Sequence, residues 1–387
     1  VESLFGNYRS PWMTEELDML RTTARRFFEK EVTPHQEKWR KQHYIDKSVW
    51  LKAGELGLIG VSYPEEYGGH GGNYAHDVVI MEEQARACDT AWGYVPGVIG
   101  APTTLILTGT PKQIYKWLPP IIRGEKLLAF AATEPDCGTD IKTLRTTARR
   151  EGDEYVLNGS KMFITHGSRS DLAIVAARTN GPGAKGISLF MIEKDKVSGF
   201  KVNKILEKMG QHGLDTCEIF LDDVRVPAEN LLGGVEGNGF GKMMDSFVKE
   251  RLTIAVTAIA STERAIELTL DHVKQRKMFN QTLWDFQNTK FKLAESVSQV
   301  RIGRVFIDSL IQRLVEGINP PSAEEAAMAK VWCSEVQWKV IDECVQLFGG
   351  YGYMAEYPIC QFMMDARIQR LYGGSNEILK ELIARKL

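Results

Sequence analysis

The chain has 387 residues, with 48 lysines and arginines against 50 aspartates and glutamates and a formal net charge of -2, so no basic excess points to nucleic acid. Its 43% hydrophobic and 25% charged residues are ordinary for a globular protein, and its length calls for two or three packed regions. No apolar run reaches the length of a bilayer span, and neither the six scattered cysteines nor the seven histidines make a disulfide framework or a metal spacing.

Residues 1–124 read as helical. MTEELDMLRTTARRFFEKEV opens on Thr14 as an N-cap that lacks the reciprocal acid, and Leu17, Leu20, Ala24, Phe27 and Phe28 share one face. Pro34, Pro64 and the cluster Gly68, Gly69, Gly71 and Gly72 punctuate the region. Further helices are predicted over Asp77–Cys88, Pro96–Leu107 and Pro111–Arg123. Residues 125–236 change period. The runs LLAFAAT, TLRTTARR, EYVLNGSKMFIT, LAIVAAR, ISLFMIE, FKVNKI and CEIFLDDVRV alternate with turn signals, among them Gly152-Asp153, Asn158-Gly159 and Asn180-Gly181 as hairpin dipeptides. They predict a small antiparallel barrel or sandwich. Residues 237–387 return to helix, with Val248–Lys277, Trp284–Glu316 and Ala323–Phe348 as the long members of a bundle. The expected class is α+β, in three domains: helical, antiparallel β, helical.

Two glycine clusters invite a nucleotide reading and fail it. GVEGNGFGKM (Gly234–Met243) has Glu236 where a phosphate loop needs glycine and Met243 where it needs Ser or Thr. GPGAKG (Gly181–Gly186) leads into the strand-like ISLFMIE instead of a helix, so it reads as a hairpin loop. In the helix Val248–Lys277 an acid stands early (Glu250, beside Arg251) and bases stand late (Lys274, Arg276, Lys277). Helix-dipole electrostatics accounts for that pattern with no function at all.

The stronger signal is joint: TEPDCGTD (Thr133–Asp140), KMFITHGS (Lys161–Ser168), VKQRKMF (Val273–Phe279), QLFGGYGYMAEYP (Gln346–Pro358) and LYGGSNEI (Leu371–Ile378), in that order on a helix–β–helix chain. Together they resemble the acyl-CoA dehydrogenase family over essentially the whole chain, with motifs most similar to its long-chain members. The resemblance implies a C-terminal four-helix bundle, FAD as cofactor, an acyl-CoA substrate converted to trans-2-enoyl-CoA, electron-transfer flavoprotein as acceptor and a homotetramer. It implies flavin contacts from Phe130, Thr133, Gly138, Thr139, Phe163, Ile164 and Thr165. Arg276, Phe279, Gln287, Gln346, Gly349 and Gly350 would hold the FAD pyrophosphate and adenine across a subunit interface, and Ser375 and Glu377 the FAD of their own subunit. Thr139, Arg251, Tyr372 and Gly374 would touch substrate. The compartment preferred is a bacterial cytoplasm, or a mitochondrial matrix if a transit segment has been removed ahead of Val1.

Many members of that family carry their catalytic carboxylate at the position of Gly373, directly after the tyrosine that matches Tyr372. Glycine offers no base. The long-chain and isovaleryl branches take the acid from the long helix, which here is Glu250. Glu263, in the same helix, lies thirteen residues on, about 20 Å along the axis and on nearly the opposite face. Glu250 is therefore the expected base, with the flavin taking the β-hydride and the Gly373 N–H left to polarise the thioester carbonyl. The runners-up are an isovaleryl-type enzyme, an oxidase and a catalytically silent flavin- or CoA-binding scaffold. Three departures stand out. Asp136-Cys137 replaces a family Gly-Ala and is expected to add bulk and charge near the thioester, Asn280 replaces a glycine at a left-handed turn, and Thr139 replaces a serine. Residues around Tyr94–Leu107 are expected to line the acyl tunnel, although small Gly97, Gly100 and Ala101 equally suit close helix packing.

Overall fold

The computed structural model describes Leu4, Gly6 and residues 8–387. α1 (Glu15–Phe27) starts as expected: the Thr14 hydroxyl accepts from the Leu17 N–H at 3.3 Å, and Leu17, Ala24 and Phe27 are buried. α2 (Gln36–Gln42) and α3 (Lys47–Glu55) follow. α4 (Tyr74–Arg86) is buried along most of its length, because α1 covers one side and the C-terminal bundle the other. A π-helical turn, Val95–Gly100, leads into α5 (Ala101–Thr108), and α6 (Pro111–Ile122) closes the region. Such a wide turn often marks a functional site.

The middle region is one seven-stranded sheet: β1 (Leu128–Ala131), β2 (Thr147–Glu151), β3 (Glu154–Thr165), β4 (Leu172–Arg178), β5 (Ile187–Glu193), β6 (Phe200–Ile205) and β7 (Thr216–Pro227). The order is β1-β4-β2-β3-β7-β6, with β5 on β4. Most pairings are antiparallel, but β1 runs parallel to β4 and β2 touches β4 in parallel, which corrects the wholly antiparallel expectation. β4 and β5 are buried on both faces, so their sequences show no alternation from which to read a direction. GPGAKG is the β4–β5 hairpin loop, as read. Asn158-Gly159 is not a hairpin. It sits inside β3, where the register against β7 shifts, and a Cβ at Gly159 would overlap Thr146.

The C-terminal region holds α7 (Gly239–Gln275), a short β8–β9 hairpin (Lys277–Met278 with Gln281–Thr282), α8 (Gln287–Glu316), α9 (Ala323–Phe348), α10 (Pro358–Ala366) and α11 (Asn376–Ala384). α7 begins well before Val248. Its first glycine is there for packing, since a Cβ at Gly239 would come within 3.0 Å of the Ile187 carbonyl oxygen. Glu250 therefore lies about three turns inside the helix, beyond reach of the N-terminal dipole, and Arg276 and Lys277 follow its end.

Arg304 of α8 ties the helical regions together. Its guanidinium grips Glu263 of α7 with two hydrogen bonds of 2.8 Å, donates to Glu82 of α4 and lies 3.7 Å from Asp308. Asp308 in turn accepts from Tyr8 (2.8 Å), Ser10 (2.8 Å) and Trp12 (2.9 Å), which straps the N-terminal segment to the bundle. Glu263, the rival base, is thus a half-buried structural partner of Arg304.

Candidate active site

A cavity of about 730 Å³ opens where the three regions meet. Its walls come from α4, the Val95–Gly100 turn and α5, from β1 and the end of β3, from residues 206–216, and from α7 and residues 362–372. The volume suits a substantial organic ligand. Gly100 and Ala101 face this space, which favours the tunnel reading for them. Gly97 does not: a Cβ there would press within 2.8 Å of the Trp50 ring, so its smallness serves packing.

Glu250 projects into the cavity from α7. Burial pushes its carboxyl above the ordinary glutamate range, with Arg251 opposing the shift, and it accepts no hydrogen bond from any described residue. A carboxylate left without a partner in a buried site is poised for a proton from something that enters. Gly373 stands beside it. A Cβ at 373 would lie 3.8 Å from a Glu250 carboxylate oxygen and would overlap the Ile254 side chain, and the backbone there is left-handed (φ +64°). The helix and loop positions for the acid therefore converge on one spot. Gly373→Ala meets both the left-handed backbone and Ile254, so the loop must shift; turnover is expected to fall roughly a hundredfold, as displacements near 1 Å do, with flavin content retained on absorbance.

Lys330, which sequence reading passed over, fixes this loop. Its fully buried ammonium donates to the Gly374 carbonyl at 3.0 Å and to Asn376 Oδ1 at 2.8 Å, and Asn376 reaches Ser334 and Glu335. Burial pulls its pKa down to about 8. A lysine on the otherwise apolar face of AAMAKVW was the available signal. A second missed pair fixes the TEPDCGTD loop. Buried Lys161 donates to Glu134 at 2.8 Å and to the Ala132 carbonyl at 3.1 Å, while Glu134 accepts the N–H groups of Arg145 and Thr146. Burial works against the ionised Glu134, but Lys161 and those donors outweigh it and hold its carboxyl below the usual range.

Phe130, Phe163, Thr165 and Tyr372 line the cavity along with Glu250. Phe163 holds a left-handed backbone (φ +61°) that turns its ring outward, 65% exposed. Thr133, Gly138 and Thr139 lie on the adjoining loop, outside the lining, and Ile164 points into the β core. Arg251 also stays off the lining, its Nε buried without a partner and its guanidinium near the Phe247 ring. Gly374, held by Lys330, sits behind Gly373. Asp136 and Cys137 do not reshape the pocket as expected: Asp136 is at the surface 3.2 Å from Arg145, and Cys137 is buried with its thiol on the Asp140 carbonyl.

Arg276, Phe279, Gln287, Gln346, Gly349 and Gly350 are all exposed and lie off the cavity lining, where α7 and α9 end and α8 begins. Arg276 lies 5.9 Å from the Tyr351 ring and has no ion-pair partner among the described residues. Gly349 and Gly350 have open space where side chains would project, and Asn280 keeps the left-handed turn at φ +63°. An unpaired guanidinium beside open backbone fits a pyrophosphate, and the aromatic-flanked cavity fits a planar ring system. Ser375 and Glu377 flank the Lys330-held loop at the start of α11.

Residues 14–125, 129–224 and 237–387 match the N-terminal, middle and C-terminal domains of acyl-CoA dehydrogenase, respectively. The chain belongs to the acyl-CoA dehydrogenase family. It is 43% identical over 377 residues to the mitochondrial long-chain specific acyl-CoA dehydrogenase of Mus musculus, covering 97% of this chain and 87% of that one. Its fold matches an acyl-CoA dehydrogenase from Geobacillus kaustophilus with a TM-score of 0.93 at 39% identity, over 98% and 99% of the two chains. A glutaryl-CoA dehydrogenase from Mycobacterium smegmatis, in complex with FADH2, matches at 0.91 and 25% identity, over 100% and 98%. The protein is accordingly an FAD-dependent oxidoreductase acting on CH–CH bonds. No helix among the described residues is long and apolar enough to cross a membrane.

Proposed function

We propose that this acyl-CoA dehydrogenase uses Glu250 to take the α-proton of a long or bulky acyl-CoA thioester, yielding the trans-2-enoyl product. The observation that carries the reading is the unpartnered Glu250 carboxylate facing the cavity beside Gly373. Bound FAD supplies the two-electron acceptor. The chain's own residues do the rest. Glu250 removes the proton in a pocket where burial has already raised its affinity for one. The Gly373 N–H, steadied through Gly374 by Lys330, donates to the thioester carbonyl as negative charge develops there. Phe130, Phe163 and Thr165 would hold the flavin ring, and the Arg276 cluster would hold the diphosphate of a neighbouring chain's FAD. Phe279 is 84% exposed and the Arg276 cluster lies on the surface, which supports a homotetramer whose neighbouring chain completes the FAD site. Electron-transfer flavoprotein is the proposed acceptor, and the cytoplasm of a bacterium the proposed compartment.

Anaerobic addition of acyl-CoAs of graded length and branching tests the reading. Bleaching of the yellow flavin by long-chain thioesters is expected. A flavin that no acyl-CoA bleaches would instead mark a silent scaffold.

A further inference from the structure

The cavity does not end at Glu250. Among the α7 residues that line it, Ser246, Glu250, Thr253, Thr257 and Ser261 form one stripe, each three or four residues from the last, with Phe247, Lys249 and Ile254 beside it. From Glu250 to Ser261 the stripe runs about 16 Å at 1.5 Å per residue. An extended acyl chain with C–C bonds near 1.5 Å covers that distance in roughly a dozen carbons.

The stripe is polar in name more than in effect until its end. The Thr253 hydroxyl donates to the Glu250 carbonyl at 2.6 Å and the Thr257 hydroxyl to the Thr253 carbonyl at 3.0 Å, so both protons are already used within the helix. Such back-bonded threonines can flank an alkyl chain without demanding a partner from it. The inner end differs. Ser261 gives its proton to the Ala258 carbonyl at 3.1 Å and accepts from Gln337 Nε2 of α9 at 2.7 Å. Gln337 is 3% exposed and lines the same cavity, and its Oε1 is buried with no hydrogen-bond partner among the described residues. Gln84 of α4 also lines the cavity, and its amide nitrogen is committed to Asp89 at 3.0 Å. What this end lacks is a donor proton, which a plain methyl terminus cannot give.

We propose that Gln337 and Ser261 form a polar subsite at the inner end of the acyl cavity, selecting acyl chains of roughly a dozen carbons that carry a terminal hydroxyl. The hydroxyl proton would go to Gln337 Oε1, the side-chain amide turning that buried oxygen toward the cavity. The inference rests on the dehydrogenase reading above and adds the substrate class to it.

The test uses the FAD-loaded enzyme with a dye acceptor and four thioesters: dodecanoyl-CoA, ω-hydroxydodecanoyl-CoA, hexanoyl-CoA and ω-hydroxyhexanoyl-CoA. The hydroxyl should raise kcat/KM about tenfold at the longer length, the worth of one hydrogen bond to a buried neutral acceptor. At the shorter length, where the terminus cannot reach Gln337, the hydroxyl should lower kcat/KM, because it is left among apolar walls. Gln337→Leu should abolish the long-chain preference, with flavin content and melting temperature reporting that it folds. Equal or better turnover of plain dodecanoyl-CoA by the unaltered enzyme overturns the subsite while leaving the dehydrogenase reading intact, and so does a preference that survives in Gln337→Leu. Failure of all four thioesters to be oxidised overturns both.

Discussion

Glu250→Gln is expected to lower kcat for acyl-CoA oxidation roughly a hundredfold to ten-thousandfold, the usual worth of a positioned general base, while the protein stays folded and yellow. The isosteric amide keeps the shape of the site and removes only the proton acceptor. Residual turnover above about a tenth of the original would exclude Glu250 as the base. The pH dependence has a definite sign. The base works ionised, so kcat/KM should fall on the acid side around a pKa displaced upward from the ordinary glutamate value. Stability moves the opposite way. With the folded pKa raised, the fold binds this proton more tightly than the unfolded chain does, so ionisation destabilises the fold as pH climbs between the two values. Glu250→Gln should thus match the original enzyme in acid and unfold later than it at mildly alkaline pH, as read by thermal melts.

Arg304→Leu should instead strike stability. Removing the guanidinium leaves Glu82, Glu263 and Asp308 facing one another inside the protein, and breaking a buried ion network from one side typically costs about 3–5 kcal/mol. The measurement is urea unfolding with the holoenzyme, and a loss below about 1 kcal/mol would show that water already relieves these charges. Glu263→Gln belongs to the same comparison: it should weaken the fold and leave the dehydrogenation step within a few-fold. Glu250 and Glu263 share one helix and both are half-buried, yet one has no partner and the other has two hydrogen bonds from Arg304. That difference underlies the roles proposed for them, proton acceptor and structural partner.

The strands EYVLNGSKMFIT and LAIVAAR and the helix AEEAAMAKVWCSEVQWKVIDECVQLF occupy the spans read from their patterns, because period and flanking turns are local properties. Misreadings arose where a glycine did tertiary work. Gly239 lets α7 start against β5, and Gly159 lets β3 pass Thr146, yet both look like loop residues along the chain. The strand directions around β4 were hidden for a related reason, since strands buried on both faces carry no alternation. At the site, Glu250 was singled out by the resemblance to family branches with a helix-borne acid, since Gly373 offers no carboxylate, and it lines the cavity. The partners of Lys330, Lys161 and Gln337 were not legible, although Lys330 itself stood out on an apolar face. A buried polar side chain is recognised by what surrounds it, and their partners lie 44, 27 and 76 residues away along the chain.

The Ile254 side chain fills the space that a residue at 373 would enter, and Glu250 lies at its edge. This geometry constrains how such an enzyme could change ancestry-wise between a helix-borne and a loop-borne acid. A glutamate gained at 373 while Glu250 remained would crowd two carboxyls into one dry spot, where they would compete for a single proton and shift the working pH range. If Glu250 is the base, as proposed, losing it first would leave the site without one. A smaller residue at 254 would remove one obstacle to a side chain at 373 and leave the other, the left-handed backbone, in place.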